Sequence, residues 1–151
     1  MASRKSCHWE GNDYLQTGNH YFKFSVTSHK PGKLNGAAFG RQANEELKAV
    51  LADRQFTTAS LPELLSFFNV DKENVLVSTV KKAEDSDEIV IRLTDLEGKD
   101  KELNVKSFIK PKQAILTNLI EEETGKLKVS DDGAGVKLGH YSIETIKIKT
   151  N

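Results

Sequence analysis

The chain of 151 residues has little of several features that mark whole classes of protein. Its single cysteine excludes an internal disulfide framework and leaves the cellular compartment unknown. Because 22 basic residues balance 22 acidic ones, no overall field attracts nucleic acid or an anionic membrane surface. No apolar run approaches the roughly 20 residues of a membrane-spanning helix. Residues 1–10 lack the apolar segment of a secretory signal, so any such signal is expected upstream. We therefore expect neither a nucleic-acid partner nor a membrane partner.

The clearest pattern that is present lies between residues 74 and 98. Two apolar runs, 75–80 and 89–93, flank an acidic polar segment at 84–88. Both runs are rich in valine and isoleucine, whose branched side chains suit a pleated, half-buried surface. In the second run apolar residues alternate with more polar ones, so one face is apolar. The two runs therefore predict a β-hairpin or two neighbouring strands.

Similar strand patterns recur along the rest of the chain, whereas a helical period is found once. Ala43, Leu47, Val50 and Leu51 share one helical face, which predicts a short amphipathic helix over residues 41–53. In the last strand Ile143 is out of phase with Ile146 and Ile148, which predicts a bulge or a change of buried face near Glu144. The further strands are predicted at residues 20–27, 64–70, 101–108, 113–119, 126–130, 136–138 and 141–149.

These elements together predict the fold class and the domain organisation. The fold is expected to be all-β, an antiparallel β-sandwich of about eight or nine strands with one short helix. A length of 151 residues is typical of one domain that buries its own core. Residues 1–17 are polar and are predicted to form an irregular lead-in, and residues 18–151 are predicted to form the sandwich domain.

Acidic clusters are the first candidates for chemistry, because two carboxylates about 5 to 10 Å apart serve glycoside hydrolysis. They lie in apparent turns, where nothing desolvates a carboxyl group and raises its pKa, so solvated loops are the better interpretation. A calcium loop at residues 131–135 lacks the alternating oxygen ligands. The acidic residues concerned are Glu84, Asp85, Asp87, Glu88, Glu121, Glu122, Glu123, Asp131 and Asp132.

Histidines and aromatic residues are the other candidates, for a metal site and a sugar-binding surface respectively. His8, His20, His29 and His140, with Cys7, lack the paired spacing of zinc ligands. A sugar-binding surface would need exposed aromatics, and core packing is the expected role of Tyr21 and Tyr141. We therefore predict no catalytic residue and no metal ligand in this chain, and the substrate-binding residues stay unknown. The remaining aromatic candidates are Trp9 and Tyr14.

Several stretches, in this order, resemble the C-terminal β-sandwich region of class II α-mannosidases, glycoside hydrolase family thirty-eight. The stretch most similar to the family pattern is residues 74–93, which contains the acidic A-E-D-x-D segment and a predicted strand ending in Arg92 and Leu93. The chain departs from the family at Thr94 and Asp95, where Tyr and Glu are common. The other similar stretches are 18–26 with 29–32, 41–47, 66–70, 117–122 and 138–146.

The resemblance implies that this chain does not itself carry the catalytic groups of the family. Enzymes of this family carry their zinc site, nucleophilic Asp and general acid in an N-terminal β/α barrel, to which nothing in this sequence is similar. We therefore expect a non-catalytic C-terminal domain of a larger glycosidase, whose partners are the catalytic and middle domains of the same polypeptide. Zinc is expected in that catalytic domain and no cofactor in this chain. Arg92 and Glu84 both lie in the most similar stretch, and Arg92, as a strand residue, is expected to pair with an acidic residue.

Two other kinds of module are alternatives to a fragment of a hydrolase. An autonomous carbohydrate-binding module requires a planar row of exposed aromatic side chains. A free-standing protein-interaction sandwich requires a reading frame that begins at Met1 with no barrel upstream. The fragment hypothesis itself predicts an exposed apolar patch larger than a few hundred Å² where partner domains would pack.

Overall fold

The structure, a computed structural model, describes residues 3–5, 13–15, 18–51 and 60–150. Nine strands form two antiparallel sheets that face each other, which confirms the predicted β-sandwich. The strands of these two sheets are β3 (Phe68–Val70), β4 (Val75–Lys82), β5 (Ile89–Asp95), β6 (Lys101–Ser107), β7 (Gln113–Thr117), β8 (Glu123–Lys126), β9 (Lys128–Val129), β10 (Gly133–Leu138) and β11 (Ile143–Lys149). The smaller sheet has the order β3-β6-β10-β9, and the larger has the order β4-β5-β11-β7-β8.

The core lies between the sheets and is made by the alternating inward side chains of both. In the larger sheet β5 contributes Ile91 and Leu93, and β11 contributes Ile146 and Ile148, all fully buried. In the smaller sheet the inward residues come mainly from β6 and β10. Antiparallel strands with one buried face alternate apolar and polar residues in this way. The members from the smaller sheet are Leu103, Val105, Ala134, Val136 and Leu138.

The predicted hairpin is confirmed, since β4 and β5 pair antiparallel along their length. The pairing shifts register between Val77 and Thr79, which is the sign of a bulge. No such shift occurs near Glu144, because the pairing of β11 with β5 runs continuously from Ile143 to Ile148. Of the two alternatives predicted there, a bulge or a change of buried face, the bulge is therefore wrong. Ile143 is out of phase because it points to the outer face, where it is half-exposed.

The strand predicted at residues 126–130 is divided between the two sheets. β8 pairs with β7 in the larger sheet, and β9 pairs with β10 in the smaller one. Leu127 lies between the two strands and packs against the core, and its amide donates to the carbonyl of Ala114 at 3.0 Å. A single partly buried leucine thus marks the point where the chain crosses from one sheet to the other.

The strand predicted at residues 20–27 is wrong, since this segment has no strand partner and no regular secondary structure. Phe22, Phe24 and Val26 are 75, 85 and 94% exposed. A strand exists only when its backbone groups bond to a neighbouring strand, and an alternating sequence does not supply that neighbour. The pattern indicated the extended backbone but not the pairing.

The helix predicted at residues 41–53 is displaced towards the N-terminus. The observed α1 spans Lys33–Asn44, and Glu45 follows it with an extended backbone. Leu47, Val50 and Leu51, which define the predicted apolar face, are almost fully exposed, and residues 52 and 53 lie outside the described residues. A helical period stabilises a helix mainly when its apolar face packs on something, and none of the residues that the structure describes covers that face.

Residues 1–17, predicted as an irregular lead-in, contain two short strands. β1 (Ser3–Lys5) and β2 (Asp13–Leu15) pair antiparallel as a two-stranded sheet of their own. Among the described residues, no helix has the length and apolar character to cross a membrane.

Candidate functional site

A buried carboxylate organises one end of the sandwich, where β5 ends. The Asp95 side chain has no solvent exposure, and its Oδ1 accepts from Lys101 Nζ at 2.6 Å, an ammonium that is itself only 9% exposed. Its two oxygens also accept from backbone amides of the following turn and of the loop before β11. Those amides belong to Glu97 (3.2 Å), Gly98 (2.6 Å), Lys99 (3.2 Å) and Tyr141 (2.8 Å).

This arrangement keeps Asp95 ionised. Burial acts to raise the pKa of the Asp95 carboxyl, but hydrogen bonds from Lys101 and from the backbone amides outweigh it and hold that pKa well below its usual range. Two of the residues whose amides donate to Asp95 have positive φ angles, Gly98 at 77° in the turn after β5 and Tyr141 at 52° in the loop before β11. Asp95 is thus a structural anion that joins two loops, and not a proton donor.

A second cluster of charges lies on the outer face of the larger sheet. Glu121, in the loop after β7, has a side chain that is 6% exposed. Its carboxylate lies 2.8 Å from Lys81 Nζ and 4.0 Å from Lys147 Nζ, and it accepts from the Glu84 amide at 3.0 Å. Lys81 also contacts the Glu84 carboxylate. The loop is therefore fastened across the sheet by one carboxylate between two lysines.

The charges in this cluster also stabilise one another. The Lys81 ammonium, and then the Glu84 amide, lower the pKa of the Glu121 carboxyl. The same contact with Glu121, and then the one with Glu84, raise the pKa of Lys81. At neutral pH both groups are therefore held in their charged forms, and neither is poised to transfer a proton.

Arg92 was expected to pair with an acidic side chain, and its hydrogen bonds differ from that expectation. Its Nε donates to Thr145 Oγ1 and its guanidinium NH2 donates to the Leu119 carbonyl, both at 3.3 Å. The partners are thus neutral oxygens, and Arg92 joins β5 to β11 and to the loop that carries Glu121. Glu84, which lies in the same family-like stretch of the sequence, accepts from Lys81 instead.

The other acidic candidates are mostly exposed, as the sequence predicted. Asp87 is 97% exposed and pairs with Lys82 at 2.6 Å. Asp131 and Asp132 lie in the turn between β9 and β10, where a hydrogen bond from Ser130 lowers the pKa of Asp132. The two acidic candidates that do come together are Glu84 and Glu121, which both contact Lys81 Nζ. Glu84, Asp85, Glu122 and Glu123 are likewise exposed, and Glu88 is half-buried.

The candidate metal ligands do not converge in the part of the chain that the structure describes. His140 Nδ1 lies 3.4 Å from Asp100, and His29 Nδ1 lies 2.7 Å from the Lys30 carbonyl oxygen. Within residues 18–51 and 60–150, no three His, Cys, Asp or Glu side chains are placed to hold a metal ion. Cys7 and His8 lie outside the described residues.

The aromatic candidates are exposed where core packing was expected. Tyr21 and Tyr141 are 91 and 57% exposed, so that expectation was wrong. His20, Phe22 and Phe24 form a row with 6.5 Å between successive ring centroids. Trp9 and the Tyr14 side chain lie outside the described residues.

An apolar cavity opens between edge strands β3 and β4, where the two sheets part. Its volume is about 680 Å³ and its walls include Phe67, Phe68, Val77, Val80 and Ile89. The charged side chains at its rim are two lysines and two acids, Lys81, Lys82, Asp87 and Glu88. A groove of this composition suits an apolar side chain.

Sequence reasoning missed both Asp95 and Glu121 as buried charges. Asp95 carried a weak signal, since an aspartate before a glycine turn commonly accepts from the turn amides. For Glu121 the signal was Lys147, which lies in β11 between Val90 of β5 and Ile115 of β7, both buried. A lysine among apolar neighbours on the outer face implies that something anionic covers it.

Comparison with known proteins agrees with the resemblance of the sequence. Residues 74–146 match the model of the glycosyl hydrolases family 38 C-terminal beta sandwich domain. The chain is also 28% identical over 147 residues to alpha-mannosidase G of Dictyostelium discoideum. That alignment covers 93% of this chain and 13% of the relative, so the chain spans a small fraction of that protein's length. Residues 74–146, which include β4 and extend into β11, are therefore similar to the C-terminal β-sandwich domain of glycosyl hydrolase family 38.

Proposed function

We propose that this chain is the non-catalytic C-terminal part of an α-mannosidase-like glycoside hydrolase. In this proposal the longer polypeptide hydrolyses α-mannosidic bonds, and the sandwich supports and orients its catalytic and middle domains. The observation that carries the proposal is the family match over residues 74–146, together with a relative that is a far longer α-mannosidase. The proposal includes no nucleic-acid partner and no membrane partner.

The charges of the sandwich support a structural role. The buried carboxylates of Asp95 and Glu121 are each engaged by a lysine and by backbone amides. A retaining glycosidase needs one carboxylate free to attack and a second carboxyl group of raised pKa to protonate the leaving group. Both buried carboxyl groups here have lowered pKa values. We therefore assign the acid, the nucleophile and the zinc of the reaction to the preceding barrel.

An assay of hydrolysis tests the proposal directly. The purified chain is incubated with an aryl α-mannoside, with and without added Zn²⁺, next to the longer polypeptide that contains it. We expect release of the aryl group by the longer polypeptide and none above the protein-free rate by this chain. Zinc-dependent hydrolysis by this chain alone would contradict the proposal, as would a reading frame that begins at Met1.

The exposed aromatic side chains favour one second candidate, an autonomous carbohydrate-binding module. Tyr21 and Tyr141 are accessible, and the row from His20 to Phe24 has the regular spacing of a stacking platform. Chemical-shift titration of the isolated chain with mannosides tests it. Saturable shifts at Tyr21, Tyr141 and Phe22 would support binding, and shifts absent at millimolar sugar would remove this candidate.

A further inference from the structure

Residues 20–27 carry an exposed apolar surface in the described N-terminal region. Phe22, Phe24 and Val26 follow one another at every second position and are 75 to 94% exposed. Each buried aromatic side chain removes about 150–250 Å² from water. Two phenylalanines and a valine therefore expose an area comparable to the largest apolar patch of a typical monomer, a few hundred Å². A surface of this kind usually has a partner.

The backbone of this segment already has the extended form of a strand. The ring centroids of His20 and Phe22 lie 6.5 Å apart, as do those of Phe22 and Phe24. In an extended chain, side chains two residues apart lie on the same side at about 6–7 Å. The three rings thus share one face.

The opposite face of the segment is turned towards α1 (Lys33–Asn44). Lys23 and Ser25 line a cavity of about 470 Å³ whose other walls are Phe39, Gly40 and Ala43 of the helix. The polar side chains therefore point inward to the helix, and the aromatic row points away from it. The segment and the helix form a layer whose outer surface is apolar.

One free sheet edge in the sandwich, that of β4, is partly occupied by that same helix. β4 is an edge strand of the larger sheet, and its Val77 carbonyl accepts from Arg41 of α1 at 2.7 Å. The bulge between Val77 and Thr79 further interrupts regular pairing along this edge. A different sheet is thus the better partner for residues 20–27.

We propose that residues 20–27 are the strand of a sheet that lies in the preceding part of the longer polypeptide, with Phe22, Phe24 and Val26 covering its apolar face. The inference rests on the proposed function, which supplies that preceding part. Its partner is the free edge of an antiparallel sheet with an apolar face, because an alternating strand gives both main-chain bonds and side-chain burial to such an edge. The long relative, of which this chain spans 13%, leaves ample length for that sheet.

Amide hydrogen exchange, compared between the isolated chain and the longer polypeptide, tests the inference. In the isolated chain the amides of residues 20–27 are expected to exchange nearly as fast as in an unfolded peptide. In the longer polypeptide alternate amides are expected to slow by on the order of 100-fold, since an edge strand bonds every second amide. Equally fast exchange in both proteins would overturn the inference. Slow exchange in an isolated chain that forms dimers would identify a second copy as the partner and would also overturn it.

Two matched variants of the longer polypeptide locate the contact. Phe24→Ser, on the apolar face, is expected to abolish the slowing, whereas Lys23→Ala, on the opposite face, is expected to preserve it. Slowing that survives Phe24→Ser would contradict the role given to the aromatic row. The outcome is separable from the proposed function, because a longer polypeptide that hydrolyses mannosides with an unprotected segment fails only this inference. A protected segment in a protein without mannosidase activity fails only the function.

Discussion

Residues 20–27 and strand β5 carry the same alternation of apolar and polar side chains, but only β5 is a strand. β5 lies between β4 and β11, and its Ile91 and Leu93 are fully buried. In the N-terminal segment Phe22 and Phe24 are at least three-quarters exposed. Alternation determines which side chains share a face, whereas a neighbouring strand to pair with determines whether a strand forms. The sandwich thus buries its apolar residues in its own core, whereas residues 20–27 leave theirs exposed.

The largest effect is expected at the C-terminal end of β5, where Asp95 closes two loops. Asp95→Ala leaves the buried Lys101 ammonium and the turn amides without their acceptor, which is expected to lower the free energy of unfolding by about 3–5 kcal/mol. The matched control is Asp87→Ala, because Asp87 and Lys82 also lie 2.6 Å apart but are almost fully exposed. Urea unfolding is expected to show no measurable change for the control. Similar losses in both variants would mean that burial does not distinguish the two pairs.

The next largest effect is expected when β5 and residues 20–27 are each truncated at one apolar side chain. Leu93→Ala removes a fully buried side chain between the sheets and is expected to cost about 2–5 kcal/mol. Phe24→Ala in the isolated chain is expected to change the free energy of unfolding by less than about 0.5 kcal/mol, since its side chain is 85% exposed. Thermal and urea unfolding of both variants measures the contrast. A large loss from Phe24→Ala would show that the N-terminal segment packs on the sandwich.

A smaller effect on the free energy of unfolding is expected when the pH is lowered. The folded state holds the pKa of Asp95 below its value in the unfolded chain, near 3.9. Its ionisation therefore stabilises the fold above that unfolded pKa, and the contribution is lost as the pH falls below it towards the folded pKa. Asp95→Asn removes this titration, so the stability difference between the wild-type chain and the variant is expected to shrink between pH 6 and pH 2. A difference that stays constant would contradict an ionised Asp95.

The sequence predicted the strands of the sandwich well because each has its period and its neighbours in the same domain. It failed for α1, which contains Gly36 and Gly40 and so has a low intrinsic preference for helix. The better helical period of residues 41–53 indicated the wrong segment, because Leu47 and Leu51 have nothing to pack against. Helix propensity and hydrophobic period are properties of the local sequence. Whether an apolar face is buried depends instead on the residues that fold around it.

The candidate site was less predictable than the fold. Exposure of the acidic runs was expected, and it holds for Asp87 and Asp131 but not for Glu121. Glu121 is buried because its loop folds back over the larger sheet, a long-range event that joins it to Lys81 and Lys147. No local pattern in a run of three glutamates distinguishes the one that finds two lysines.

Urea unfolding of residues 60–151, compared with the whole chain, tests most directly whether the sandwich is complete in itself. The account predicts one cooperative transition, with a free energy of unfolding within about 1 kcal/mol of that of the whole chain, since the described contacts from residues 18–51 to the sandwich are few and include the hydrogen bond from Arg41 to Val77. A fragment that does not fold, or that loses most of its stability, would contradict it.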